Sequence, residues 1–108
     1  MKYVILSDNT KIGNCTDSTT SQNIVALRNS YEEAGAVRDM INNDNSEVIS
    51  VYNEDDTEVV TGSDLVLLAG CTIKEVADGY TCIISLRNKT TEEKMKEQIE
   101  ELQETILG

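Results

Sequence analysis

Up to residue 88 the chain alternates short apolar blocks with turn-forming polar residues, the period-two texture of β-strands. Lys2 to Ser7 and Thr10 to Cys15 flank the turn pair Asp8-Asn9 and predict an opening hairpin. Thr16 to Ser21 is a hydroxyl-rich connector, and Asn23 to Arg28 resumes an apolar strand. Ser30 followed by Glu33 is a capping box, so a helix starts at Tyr31 with Ala34, Val37, Met40 and Ile41 on its inner stripe. The run Asn42-Asn43-Asp44-Asn45 ends it, because these side chains compete for the backbone.

Glu47 to Tyr52 is rich in β-branched residues and predicts a strand with Ile49 and Val51 facing inward. Asn53 to Asp56 turns it, Thr57 to Thr61 pairs back, and the unbroken run Leu65 to Ala69 is expected to be the most buried strand. Cys71 to Val76 and Tyr80 to Arg87 form a last hairpin about Asp78-Gly79. Seven or eight strands and one internal helix make an α+β fold with a mostly antiparallel sheet.

After residue 88 the period changes. Thr90 and Glu93 form a second capping box, and residues 91 to 107 are mostly good helix formers. Met95, Ile99, Leu102 and Ile106 are spaced four, three and four, which is a coiled-coil seam rather than the wider stripe of a helix packed on a sheet. The expected organisation is a β-rich α+β domain over residues 1–88 and a C-terminal amphipathic, coiled-coil-like helix over 89–108, with Asn88-Lys89 as the linker. That helix either oligomerises or lies back along its own sheet.

Composition narrows the chemistry. Hydrophobic residues make up 39% of the chain and Phe and Trp are absent, so the core must be aliphatic with the four tyrosines at its margins. Histidine is absent as well, which removes the commonest general base and zinc ligand. No Walker A, G-x-G-x-x-G or G-x-S-x-G motif is present. No catalytic, cofactor-binding or metal-ligating residue is therefore assigned, no cofactor is expected, and the chain reads as a non-enzyme.

Twenty acids against nine bases give a net charge of −11, which repels phosphate backbones and anionic membranes, so neither nucleic acid nor membrane is an expected partner. The same acids could instead imitate DNA toward a nucleic-acid-binding protein. Cys15, Cys71 and Cys82 are an odd number without C-x-x-C spacing and read as small hydrophobes in a reducing cytosol, although a Cys71 to Cys82 bridge across the last hairpin is conceivable. No apolar run reaches the length of a signal-peptide core or a membrane span, so an intracellular protein is expected.

On the final helix, the glutamate pairs 93/97, 97/101 and 100/104 repel at i, i+4, each by roughly a few tenths of a kcal/mol. The helix needs partners. Lys96, Gln98, Gln103 and Thr105 flank the seam and place little repulsion between copies.

The opening hairpin Ser7-Asp8-Asn9-Thr10-Lys11-Ile12, the helix starting Ser30-Tyr31-Glu32-Glu33-Ala34, and the acidic helix after Ser85-Leu86-Arg87-Asn88-Lys89-Thr90 together carry a resemblance. The layout resembles small tail or virion-associated accessory proteins of tailed phages and prophages of Gram-positive bacteria. The resemblance implies a non-enzymatic structural or tail/baseplate assembly protein. The seam Met95, Ile99, Leu102 and Ile106 would join the chain to itself as a homotrimer or dimer, and the resemblance adds other virion or tail proteins as partners. Its expected location is the host cytoplasm during assembly or the virion. The alternative is a phage-encoded acidic inhibitor of a host defence protein.

Overall fold

A computed structural model describes residues 1–68 and 71–107, with side chains described through residue 100. The elements are β1 (Lys2–Ile5), β2 (Lys11–Cys15), β3 (Asn23–Arg28), α1 (Tyr31–Met40), β4 (Val48–Tyr52), β5 (Glu58–Ser63), β6 (Leu65–Leu67), β7 (Thr72–Val76), β8 (Gly79–Asn88) and α2 (Thr91–Leu107). The strands form one sheet in the order β5-β4-β1-β2-β3-β8-β6, with β7 also paired to β8. Among the described residues every strand pairing is antiparallel, which gives the α+β architecture expected from the pattern.

The sheet curls far enough for its two ends to meet. The Leu65 N–H at one end donates to the Glu47 carbonyl at the approach to β4, 3.3 Å away. Gly62 marks the same closure: a Cβ there would lie 2.7 Å from Ser21 Oγ and 3.1 Å from Leu65 Cδ1. The enclosed core holds Val4, Ile12, Ile24, Ile49, Val51 and Leu65, with Cys15 and Cys82 among them and α1 supplying Ala34 and Val37. Aromatic rings stay outside it. Tyr3 stacks on Tyr52 with centroids 5.2 Å apart, and Tyr31 meets Tyr80 edge-on at 6.0 Å.

Three expectations need correction. The run from Leu65 is not the most buried strand: β6 holds three residues, Leu65 alone is fully buried, and Leu68 is 43% exposed, while Ala69 lies outside the described residues. The reason is the partner. β7 occupies the near half of β8's free edge, so β6 can pair only with Leu86, Arg87 and Asn88.

Met40 is the second. It is 36% exposed, because α1 ends there and Ile41, in extended backbone, turns into the core in its place. Third, Glu33 reaches past the cap: Ser30 Oγ accepts from the Glu33 N–H as expected, but the carboxylate accepts from the Asn29 N–H.

Side chains build the two main irregular segments. Thr19, buried in the hydroxyl-rich connector, accepts from the Val25 N–H at 3.2 Å and donates to the Val25 carbonyl at 3.3 Å, taking the place of a strand neighbour. After α1, Asn45 Nδ2 donates to the Met40 carbonyl (2.8 Å) and to Asp8 (3.2 Å), while its Oδ1 accepts from the Asn42 N–H (2.8 Å). The Asn45 carbonyl receives the Ser7 N–H and Ser7 hydroxyl, so one residue ties the helix end to the first hairpin. At the last hairpin Gly79 has φ +150°, and a Cβ there would lie 2.3 Å from the Arg28 carbonyl oxygen.

Asn45 and Ser46 are adjacent and both buried, yet their truncations should differ in sign. Among the described residues Ser46 Oγ has no hydrogen-bond partner, so Ser46→Ala removes a desolvated group that gains nothing, and stability should stay within about 1 kcal/mol or rise. Asn45→Ala strands the Asn42 amide and the Met40 carbonyl and should cost about 2–4 kcal/mol in urea denaturation. Equal effects of the two substitutions would contradict this account.

Candidate interaction surface on the C-terminal helix

The root of α2 is held from both sides. Thr90 Oγ1 accepts from the Glu93 N–H at 3.2 Å and the Glu93 carboxylate accepts from the Thr90 N–H at 3.1 Å, the reciprocal capping box read from the sequence. Arg87, at the end of β8, adds a forked pair to the same carboxylate at 2.6 and 3.4 Å. Lys89, its side chain only 12% exposed, lies between Glu47 just before β4 (3.0 Å) and Glu97 of the helix (2.8 Å). Lys94 reaches Asp64 at 3.3 Å.

Asn88 and Lys89, expected as a linker, form a braced junction. Asn88 donates to the Ser63 carbonyl and accepts from Gln22, and the Lys89 N–H donates to the Asp64 carbonyl at 2.7 Å. Exposed ion pairs are individually worth about 0–1 kcal/mol, so the direction of the first helical turn depends on the set rather than on any one of them. The set also answers the repulsion between Glu93 and Glu97, since each carboxylate has its own cation.

Charge states follow these contacts. The Arg87 hydrogen bond, with the Thr90 amide behind it, holds the Glu93 carboxyl down at about 2. Glu97 and then Glu47 raise Lys89, and Glu93 raises Arg87.

Of the four seam residues, Met95 and Ile99 are 56% and 53% exposed, so neither is covered by the sheet. The side chains of Leu102 and Ile106 lie outside the described residues. An apolar helix face beginning at a fixed root can do one thing chemically, which is to bury itself against another apolar surface.

A concave region away from α2 was not legible in the sequence. Two hollows of about 370 Å³ each share Asn14, Leu27, Arg28 and Asn29. They open where Asn14, at φ 58°, bulges β2 against β1. The polar groups there serve the backbone: Arg28 Nη1 donates to the Gly13 and Leu27 carbonyls at 2.9 and 2.6 Å, and Asn14 Nδ2 donates to the Leu27 carbonyl at 3.2 Å. Gly13-Asn14 inside a strand was the one available signal for the bulge. Among the described residues no group of three or more Cys, Asp or Glu is arranged to hold a metal ion, and no helix is long and apolar enough to cross a membrane.

Glu93 sets a pH dependence whose sign is fixed by its lowered value. The braced root should be intact above the ordinary glutamate range near 4.5 and should loosen as pH falls toward 2. Helical circular dichroism should decline through that window, and Arg87→Ala should move the midpoint upward; a midpoint unaffected by Arg87→Ala would remove the Arg87 fork from the account. No family model, curated protein or solved structure matches the chain.

Proposed function

We propose that this chain is a non-enzymatic assembly protein that associates with further copies of itself through α2. The single observation behind the reading is a helix braced at its root with Met95 and Ile99 left uncovered. The occupant that fits is a second copy. A seam flanked by Lys96, Gln98, Gln103 and Thr105 brings few like charges together when it meets itself, whereas the glutamates at 97, 100, 101 and 104 fall away from it in the heptad.

Magnitudes limit what the helix does alone. Full burial of an aliphatic side chain gains about 1.5–3 kcal/mol, so four seam positions bring roughly 6–12 kcal/mol per chain before association costs of about 4–15 kcal/mol. With so narrow a margin, contacts of the β-domain add to those of the helix, and the resemblance favours a trimer over the dimer that Ile at 99 and 106 with Leu at 102 would choose. A structural or tail/baseplate component of a tailed phage, touching other virion proteins and resident in the host cytoplasm during assembly or in the virion, is the setting that the layout resembles.

Multi-angle light scattering of the full chain beside an Ile99→Asp, Leu102→Asp double variant tests the reading. The unsubstituted chain should be an oligomer and the variant a monomer with unchanged β-sheet circular dichroism, because each carboxylate would be buried at an apolar contact at a cost of several kcal/mol. A monomeric unsubstituted chain, or a variant of unchanged mass, overturns it. Displacement of DNA from a purified defence nuclease by the monomeric chain would instead support the acidic-inhibitor reading, for which the net charge of −11 is the motive.

A further inference from the structure

The sheet holds a pair of thiols that none of the contacts above employs. Cys71 and Cys82 are both free, and their Sγ atoms lie 3.9 Å apart. Thr72 is opposite Ile83 and Ile73 opposite Cys82, so Cys71 sits diagonally across from Cys82 on the same face of the sheet. Cys15 is fully buried on β2, with β3 between its strand and β8.

We propose that Cys71 and Cys82 form a reversible intrachain disulfide that staples β7 to β8, with a low-molecular-weight disulfide such as oxidised glutathione as the oxidant. The sulfurs must close by about 2 Å. A disulfide needs about 2.0 Å between sulfurs, and Cys71 precedes β7, so it can turn toward Cys82 without breaking a ladder hydrogen bond of that strand. Access sets the order of attack: Cys71 is half-buried and lines a hollow of about 200 Å³ with Arg38, Ile41, Leu67, Leu68 and Ile84, whereas Cys82 is fully buried.

The Cys71 thiolate attacks one glutathione sulfur, forming a mixed disulfide and expelling one glutathione thiolate. Cys82 then gives up its proton to solvent and attacks the Cys71 sulfur, forming the intrachain bond and expelling the second glutathione. Two protein thiols lose two electrons in all, and oxidised glutathione gains them. In the dithiol, burial and then the neighbouring Cys71 push the Cys82 thiol up, partly offset by the Arg38 guanidinium, so Cys82 is the poorer first nucleophile of the pair.

The full chain equilibrated with oxidised and reduced glutathione, quenched in acid, unfolded and alkylated tests the proposal by intact mass and peptide mapping. The expected product is a chain lighter by two hydrogen atoms, linked between the Cys71 and Cys82 peptides, alkylated at Cys15 alone and restored by reduced glutathione. Cys82→Ser should accumulate a glutathione adduct on Cys71, and Cys71→Ser should leave Cys82 unmodified. Alkylation of all three thiols, a lasting adduct on Cys71 of the unsubstituted chain, or cysteine-linked dimers would each overturn it, and mapping of the unsubstituted chain decides the matter even where a variant fails to fold.

Discussion

Strand β8 is the constraint on which the rest of this structure depends. It is ten residues long, and a strand has two edges. One edge is taken by β3, from Asn23 opposite Ser85 to Arg28 opposite Tyr80. The other is divided, with β7 along Gly79 to Ile83 and β6 along Leu86 to Asn88. Three neighbours therefore inherit their register from one strand, and a one-residue slip would turn Cys82, Ile84 and Leu86 out of the core together. The same strand delivers Arg87 to the root of α2, so the direction of the terminal helix is a consequence of sheet register.

Closure of the sheet follows from this division. Because β6 is confined to the far end of β8, the short segment through Asp64 must bring the end of β5 to that point. The Leu65 bond to Glu47 and the absence of a side chain at Gly62 are what permit the approach. An aliphatic core suits so tight a curl, since Val and Ile pack against the pleat while the tyrosines remain outside in stacked and edge-on pairs.

Local signals were legible where local physics decided the outcome. Asp8-Asn9 and Asp78-Gly79 mark real turns, Ile49 and Val51 face inward, and both capping-box serine and threonine residues accept the amides expected of them. What failed was inference from hydrophobicity to position. The run from Leu65 reads as a central strand, but centrality depends on how much of β8 is left to pair with, a quantity set by how far β7 extends along the same edge. Met40 does not join the inner stripe because it is the last residue of α1, where Asn45 closes the helix end and Ile41 turns into the core. On α2 the apolar spacing could be read directly. The brace could not, because Lys89 to Glu47 and Lys94 to Asp64 join segments with no local relation.

The distribution of the scarce cations makes the acidity of this chain structural as well as compositional. Lys2 donates to the Asp17 carbonyl, Lys11 lies over the Tyr3 ring at 4.5 Å, Arg28 holds the bulge carbonyls, and Arg87, Lys89 and Lys94 hold the helix root. Six of the nine cations are thus committed to internal contacts, and the outward field is dominated by the carboxylates. Two copies approaching at random repel one another. On the function proposed above, the apolar stripe is the surface on which approach costs least, and the braced root leaves Met95 and Ile99 clear of the sheet.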